Sequence, residues 1–383
     1  MDINLLKEEF NNAFGYSNDL NYFFSPGRVN LIGEHIDYNG GLVFPCALSI
    51  GIYAAVRYRD DDIVNLRSKN MNNIVSFKLD NIKYDDSDGW GNYPKGVVKY
   101  LLDGGYNLKG ADVYFVTTLP DGAGLSSSAA LEVLTGYLML YPSLGEKIDR
   151  VELAKLCQRV ENEFVGVNCG IMDQFSVAMG KKNSAVLLDC NTLEYEYAPL
   201  ELNDYSLVIM NTNKRRELAD SKYNERRSEC DKSLEIIGQH KSIRNICEAD
   251  IDDLKYLNDE VLRKRARHVI TENERVKKAV EVLKTGNVEE FGNLLKQSHD
   301  SLRDDYEVTG LHLDAIVEEA LKFDGCIGAR MTGAGFGGCA IALVEKNKIK
   351  EFTDFVGKNY LYRTNITPNF YMCSVEDGVK KIG

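Results

Sequence analysis

The sequence has little of what marks secreted, membrane or nucleic-acid-binding proteins. Its 9 cysteines are scattered and form no C-x-x-C pair, so neither a disulfide framework nor a zinc cluster is indicated. Lys and Arg number 46 against 58 Asp and Glu, and the net charge of −12 argues against a broad nucleic-acid surface. No apolar run approaches the about 20 residues of a membrane span, and the acidic, amphipathic start does not resemble a signal peptide. We therefore expect a soluble cytoplasmic protein that binds neither nucleic acid nor membrane.

The length and the pattern along the chain predict two domains of α+β type. A chain of 383 residues is longer than a single hydrophobic core usually supports. Strand-like segments, such as residues 42–58, are interspersed with helices before about residue 195, whereas residues 215–299 are charged and helical in pattern. We place an N-terminal domain at residues 1–195 and a C-terminal domain at residues 196–383, with the boundary resting on this shift alone.

A Gly/Ser loop lies between a predicted strand at residues 113–118 and a predicted helix at residues 129–140. The loop consists of Gly122, Ala123, Gly124, Leu125, Ser126, Ser127 and Ser128. Glycines let backbone N–H groups point inward, and a helix start adds free N–H groups and the positive end of a dipole, which together suit a polyanion such as a phosphate chain. The spacing is not that of a Walker loop. Taken alone, the segment is also compatible with a tight connector that caps the helix.

A second glycine cluster, residues 333–338, formally matches G-x-G-x-x-G at Gly333, Gly335 and Gly338. A dinucleotide site requires a helix directly after this motif, whereas the residues that follow, 339–344, are strand-like. The cluster therefore predicts a loop between two strands that brings backbone close to an active site, and an NAD-dependent oxidoreductase is disfavoured. A purely structural turn is at least as compatible with the match.

Two further segments are dense in polar groups. Residues 28–39 include Glu34, His35 and Asp37, and such a density of donors and acceptors suits a polyhydroxylated ligand, although each residue singly could be a surface or capping group. In residues 159–175, Asp173 stands between apolar neighbours and is either a helix N-cap or a functional carboxylate beside a cleft. Cys169 has no neighbouring His that would make it a nucleophile, so a packing role is expected.

These four segments, in their order and spacing, resemble the galactokinases of the GHMP kinase superfamily. Residues 27–41 resemble the galactokinase signature, with Ile36 where the family usually has Thr, and residues 90–97, 221–227 and 298–306 agree as well. The resemblance implies a two-domain GHMP fold of mixed sheets and helices with the active site in the cleft between the domains. It also implies transfer of the γ-phosphoryl group of ATP to the C1 hydroxyl of galactose.

Carried over position by position, the resemblance implies a role for particular residues. Sugar contacts are implied for Glu34, His35, Asp37, Gly170, Asp173 and Tyr223. Asp173 would be the catalytic base with Arg28 beside it, and Ser128 and Glu161 would hold Mg²⁺. Residues 122–128 would cradle the phosphates of ATP, and Trp90 would line the adenine pocket.

Alternatives remain at the level of substrate and turnover. A kinase for N-acetylgalactosamine or another sugar is compatible with the same motifs, and so is a non-catalytic sensor of galactose and ATP, which the intact Gly/Ser loop and Asp173 disfavour. Mevalonate and homoserine kinases lack the cluster of Glu34, His35 and Asp37. No sequence feature marks the oligomeric state, for which we expect a monomer with an oligomer left open.

Overall fold

A computed structural model describes residues 1–214 and 219–383, and the following elements are those of this described part. The α-helices are α1 Ile3–Phe14, α2 Asn92–Asp103, α3 Ser127–Leu144, α4 Arg150–Arg159, α5 Met172–Met179, α6 Ala219–Gly238, α7 Glu260–Lys284, α8 Val288–Asp304, α9 Gly310–Leu321 and α10 Ile349–Thr364. The strands are β1 Asn21–Asn30, β2 Leu42–Val43, β3 Pro45–Tyr58, β4 Ile63–Ser68, β5 Met71–Lys78, β6 Ala111–Thr117, β7 Ser184–Asp189, β8 Tyr195–Pro199, β9 Tyr205–Asn211, β10 Cys326–Thr332, β11 Cys339–Glu345, β12 Asn369–Met372 and β13 Lys380–Lys381.

The N-terminal half is built on a six-stranded sheet in the order β13-β1-β3-β6-β4-β5, in which the β4–β6 pair is parallel. Side chains alternate along its strands, so Ala54 and Phe115 face the main core on one side, whereas Ala55 and Tyr114 face helix α1 on the other. Helices α3 and α5 pack on the main-core side. Because α3 is covered by other elements from residue 129 to residue 140, its sequence is apolar almost all round.

The C-terminal half carries a four-stranded antiparallel sheet in the order β10-β11-β9-β12, covered by α8, α9 and α10. A third sheet, β2-β7-β8, joins residues 42–43 to two strands between residues 184 and 199. The ends of β1 and β10 meet, because the backbone N–H of Asn30 donates to Thr332 Oγ1 at 3.3 Å. Motifs that are 300 residues apart in sequence are thereby brought to one place.

Most predicted elements are confirmed. The glycine cluster at residues 333–338 connects β10 to β11, as the strand-like residues after it indicated, and Gly166 caps a helical segment with a φ of 89°. The helical pattern of residues 215–299 forms α6, α7 and α8 with two 3₁₀ turns between α6 and α7, and its first residues, 215–218, lie outside the described part.

The predicted domain boundary at residue 195 falls at the start of a strand, and another strand crosses it. Residue 195 is the first residue of β8, whose sheet partner β7 precedes it. At the other end, β13 returns from the C-terminal half and pairs with β1. A single cut at residue 195 therefore passes through β8 and assigns β13, which completes the N-terminal sheet, to the C-terminal half.

Candidate active site

Arg28 and Asp173 form the centre of the candidate site. Arg28 lies near the end of β1 and is 4% exposed, and Asp173 lies in the first turn of α5. The guanidinium donates from Nε to Asp173 Oδ1 at 2.8 Å and from Nη2 to Oδ2 at 2.9 Å, which is the two-pronged geometry that orients a carboxylate most strongly. The N-cap interpretation of Asp173 is wrong, since Ile171 occupies that position of α5.

The Gly/Ser loop at residues 122–128 is joined to this ion pair by two contacts. Arg28 Nη1 donates to the carbonyl oxygen of Gly124 at 2.8 Å, and the Ser126 hydroxyl donates to Asp173 Oδ2 at 2.6 Å. Gly122 and Gly124 have φ values of 64° and 73°, a backbone region that glycine adopts without strain. The loop leads directly into α3, and the free N–H groups at the start of a helix favour the binding of an anion.

Two cavities meet at the ion pair. The larger has a volume of about 700 Å³, and of the predicted sugar, catalytic and metal residues it is lined by Arg28, Glu34, His35, Asp37, Ser128, Glu161, Gly170, Asp173 and Tyr223. The smaller, about 230 Å³, is lined by the whole Gly/Ser loop: Gly122, Ala123, Gly124, Leu125, Ser126, Ser127 and Ser128. Four residues line both cavities, namely Arg28, Ser128, Asp173 and Ala334. The arrangement suits a ligand of sugar size beside a phosphate chain, with a charged pair where they meet.

Asp37 and Gly170 face each other in the larger cavity. A Cβ atom on residue 170 would lie 1.9 Å from Asp37 Oδ2, so glycine is required for the carboxylate to occupy its place. Burial, reinforced by the charge of Asp173, raises the pKa of Asp37 to about 7. A carboxyl group that lines the cavity in this way is suited to pair with the hydroxyls of a ligand.

Glu161 is the second residue of a π-helical turn, Val160–Val165, and its carboxylate also faces the larger cavity. Its pKa is raised to about 7 by burial and by the charge of Asp173, while a hydrogen bond from Ser128 works in the opposite direction. Gln174 Nε2 donates to Glu161 Oε2 at 2.5 Å and thereby fixes its orientation. Cys169 packs against the same group through its thiol, 3.6 Å from Oε2, and burial raises its pKa, which fits the packing role expected of it.

The polar loop at residues 28–41 is held from the C-terminal half. Arg330, which is fully buried in β10, forms an ion pair with Glu34 and donates to the carbonyl oxygens of Asn30 and Leu31 at 3.0 and 2.8 Å. The backbone N–H of Gly33 donates to Glu272 Oε1 at 2.9 Å. Arg330 is a charged residue within a largely apolar strand, and this pattern in the sequence could have identified it as a functional residue.

His35 and Tyr223 belong to an aromatic group beside the cavity. The rings of His35 and Tyr223 lie 5.6 Å apart, and both contact Tyr38. Both nitrogens of the His35 ring already have protein partners, Tyr38 Oη at 2.9 Å and the carbonyl oxygen of Ala334 at 3.2 Å. Any hydrogen bond from His35 to a sugar would therefore come from its backbone.

Trp90 is the predicted site residue that the structure does not bring to the two cavities. It lies in a 3₁₀ turn, Asp86–Gly91, where its Nε1 donates to Asn73 Oδ1 at 2.6 Å and its ring packs edge-on against Phe115. Neither cavity is lined by it. Its assignment to an adenine pocket stays a prediction.

Models of the GHMP kinases N terminal domain and of GHMP kinases C terminal match residues 92–181 and 279–362. Together with the fold and the paired cavities, these matches define a small-molecule kinase of the GHMP type. The mevalonate kinase of Methanococcus jannaschii shares the fold, with a TM-score of 0.66 and 21% identity over 94% of this chain and 99% of that one.

More particular matches lie along the whole chain. The galactokinase galactose-binding signature covers residues 8–58. Galactokinases of Clostridium tetani and Fusobacterium nucleatum are 56% and 51% identical, each over at least 98% of both chains. A crystal structure of Lactococcus lactis galactokinase complexed with galactose is 44% identical and covers 99% of this chain and 100% of that one, with a TM-score of 0.95. The chain belongs to the galactokinase family.

Proposed function

We propose that this enzyme transfers the γ-phosphoryl group of ATP to the C1 hydroxyl of galactose. The C1 oxygen gives up its proton and forms a bond to the γ-phosphorus, while the bond from that phosphorus to the β,γ-bridging oxygen breaks and ADP leaves. The observation that carries the proposal is the position of Asp173 and Arg28, which line both the larger and the smaller cavity.

Sugar binding is proposed for the larger cavity. Glu34, Asp37 and Asp173 offer carboxylate oxygens that accept from sugar hydroxyls, and Tyr223 offers a hydroxyl donor and a ring face. Gly170 keeps the space in front of Asp37 open. His35 contributes through its backbone, because its ring nitrogens are occupied. The size of the cavity and the polar side chains of Glu34, Asp37, Asp173 and Tyr223 support a polyhydroxylated ligand.

Asp173 is proposed to accept the proton of the C1 hydroxyl. Such base catalysis typically contributes about 10²–10⁴ in rate. Arg28 and Ser126 fix the carboxylate in one orientation, which aligns the attacking oxygen with the phosphate chain. Arg28 also places a positive charge at the junction of the cavities, where charge develops on the transferred phosphoryl group.

ATP is proposed to lie with its phosphates against the Gly/Ser loop at residues 122–128. A divalent cation fits the group formed by Ser128 and Glu161, because Mg²⁺ is usually held by one or two carboxylates together with substrate phosphates. Glu161 is a buried carboxylate, and among the described residues its hydrogen-bond partners are Ser128, Cys169 and Gln174, none of them cationic. When bound there, Mg²⁺ would neutralise charge on the β- and γ-phosphates. Trp90 remains the proposed adenine contact.

Three broader expectations are proposals of the same kind: a cytoplasmic location, a monomeric state and a division into domains near residue 195. Within residues 1–214 and 219–383, no helix is long and apolar enough to cross a membrane.

The proposed reaction is tested by measuring ADP release with galactose, N-acetylgalactosamine, glucose, arabinose and mevalonate, and by locating the phosphate with phosphorus NMR. We expect turnover with galactose and a product phosphorylated at C1. Faster turnover with another acceptor would refute the substrate assignment, and binding of galactose and ATP without ADP release would identify a sensor.

The role of Asp173 is tested separately with Asp173→Asn. We expect a loss of at least about 10² in kcat with galactose binding retained. Turnover within a few-fold of the parent enzyme would rule out proton abstraction by this residue.

A further inference from the structure

A chain of four hydrogen bonds runs from the C-terminal half of the protein to the glycine loop at residues 333–338. Cys230 Sγ lies 3.1 Å from Tyr306 Oη, Tyr306 Oη lies 2.8 Å from Tyr38 Oη, and Tyr38 Oη lies 2.9 Å from His35 Nδ1. The fourth bond joins His35 Nε2 to the carbonyl oxygen of Ala334 at 3.2 Å. Cys230, Tyr306 and His35 are at most 4% exposed, so water offers little competition along the chain.

The donor and the acceptor of every hydrogen bond in this chain follow from its last member, the carbonyl oxygen of Ala334. A carbonyl oxygen can only accept, so His35 Nε2 must carry a proton and donate it to Ala334. In a neutral ring Nδ1 is then a lone-pair acceptor, and the single hydroxyl proton of Tyr38 points to it. Tyr38 Oη consequently accepts from Tyr306, and Tyr306 Oη accepts from the thiol of Cys230.

The ring of His35 is held in the neutral form by its surroundings. Burial lowers its pKa to about 3, and His268 and the nearby arginines Arg226 and Arg330 act in the same direction. With two protons on the ring, Nδ1 and the Tyr38 hydroxyl would have to reverse their roles, and the proton of Tyr38 would turn toward Tyr306. The neutral ring therefore leaves one tautomer that satisfies every partner.

His35 and its neighbour Glu34 hold two nearby peptide units of the glycine loop, 332–333 and 334–335. The N–H of Gly333 donates to Glu34 Oε1 at 2.7 Å, and the carbonyl oxygen of Ala334 accepts from His35. Ala334 lines both cavities, at the place where the sugar and phosphate sites of the proposed function meet. A displacement of the His35 ring would thus be transmitted to the backbone beside the transferred phosphoryl group.

We propose that His35 is a positioning residue: its Nε2–H tautomer, set by Tyr38, Tyr306 and Cys230, fixes Ala334 of the glycine loop between the two cavities. The inference rests on the proposed function, which assigns the larger cavity to the sugar and the smaller cavity to the phosphates of ATP. The tautomer itself is a property of the free protein that does not depend on which substrate is used. The alternative is that the chain is ordinary core packing, which would affect stability without a particular effect on catalysis.

The tautomer is tested by ¹⁵N–¹H NMR of the full-length protein labelled at histidine, with the His35 signals assigned by their absence in His35→Gln. We expect His35 to be neutral at pH 7 with its proton on Nε2. A proton on Nδ1, or a charged ring at this pH, would overturn the proposal whether or not the enzyme phosphorylates galactose.

The functional consequence is tested with Tyr38→Phe, which removes the donor to His35. We expect kcat/KM for galactose to fall roughly 5-fold to 100-fold, since a buried acceptor is left unpaired, with part of the loss in kcat. Tyr306→Phe leaves the Tyr38 donor in place and should cost less. Tyr197→Phe is the matched control, because it removes a hydroxyl that bonds to the carbonyl oxygen of Met179 at 2.7 Å.

The conservative variant separates positioning from packing. The amide of His35→Gln can donate to Ala334 and accept from Tyr38, whereas His35→Leu can do neither. We expect His35→Gln to retain at least roughly 5-fold more kcat/KM than His35→Leu at equal folded fraction. The proposal is wrong if the two variants are equally active, or if Tyr38→Phe is no more damaging than Tyr197→Phe.

Discussion

Gly170→Ala is the substitution whose effect the structure defines most sharply. The added Cβ would lie 1.9 Å from Asp37 Oδ2, and ordinary contact begins at 3.4 Å, so the carboxylate must move by about 1.5 Å. Residue 170 does not have a positive φ, so alanine causes no backbone strain there. The clash is with the end of a side chain, which can rotate away. The substitution should therefore displace Asp37 without unfolding the protein.

The expected loss follows from what Asp37 contributes. Removing a hydrogen bond to a charged group costs about 1.5–3 kcal/mol, which corresponds to roughly 10-fold to 150-fold in kcat/KM for galactose. The KM for ATP should stay within about twofold, and the free energy of unfolding within about 1 kcal/mol, as for substitutions that strain neither the backbone nor the core. Steady-state ADP release with each substrate varied in turn, together with urea unfolding, measures all three quantities.

Gly238→Ala is the control, since a Cβ at residue 238, the last residue of α6, meets no atom of residues 1–214 and 219–383 within 4 Å. It should leave both substrates' kinetics unchanged. If Gly170→Ala keeps kcat/KM for galactose within twofold of the parent enzyme, Asp37 does not bind the sugar through the carboxylate position described above. An equal rise in the KM for ATP would likewise contradict a role confined to the sugar side.

Three other substitutions test the electrostatics of the site. Burial raises the pKa of Asp37 to about 7, so the folded protein keeps a proton on this carboxyl that the unfolded chain loses above about pH 4. The stability associated with this proton is present at low pH and is lost as the pH rises through 7. Asp37→Asn should therefore raise the free energy of unfolding by about 1–3 kcal/mol at pH 8 and not at pH 4 in urea titrations; an equal gain at both pH values would contradict this. Arg330→Met leaves Glu34 buried without its ion pair and should cost about 3–5 kcal/mol in the same assay, a loss that adding Glu34→Gln should partly restore. Ser126→Ala removes one donor to Asp173 and should lower kcat roughly fivefold, or about 1 kcal/mol; a change confined to KM would show that the hydroxyl binds substrate instead.

Much of the site was predictable from local patterns. Glycines and serines before an apolar helix indicated a phosphate-binding loop; residues 122–128 line the smaller cavity, and their binding of phosphate stays a prediction. The strand-like residues after the glycine cluster excluded a dinucleotide site, and β11 confirms that interpretation. In both cases the reasoning depended on backbone geometry and on the next few residues, which a sequence displays directly.

Other features could not be predicted because they join distant parts of the chain. The Ser126 hydroxyl, which was expected to face the phosphates, donates a hydrogen bond to Asp173. The ring of His35, a residue expected to contact the sugar, is hydrogen-bonded to Tyr38 and to the carbonyl oxygen of Ala334. A polar side chain in a sequence can make several hydrogen bonds, and its choice depends on which partners the fold brings within reach. The same holds for Arg330, whose role depends on where β10 ends.

The sequence by itself determined the kind of chemistry. Its glycines and hydroxyls suit a phosphate chain, its carboxylates suit a polyhydroxylated ligand, and the order and spacing of the segments that carry them resemble those of the galactokinases. Only the tertiary structure decided which of these groups bond to each other. The residues of the Arg28–Asp173 ion pair are 145 positions apart in the sequence, and those of the His35–Ala334 contact are 299 apart. Hydrogen bonds act over about 3 Å, so the assignment of donors to acceptors exists only once the two halves of the protein have packed together.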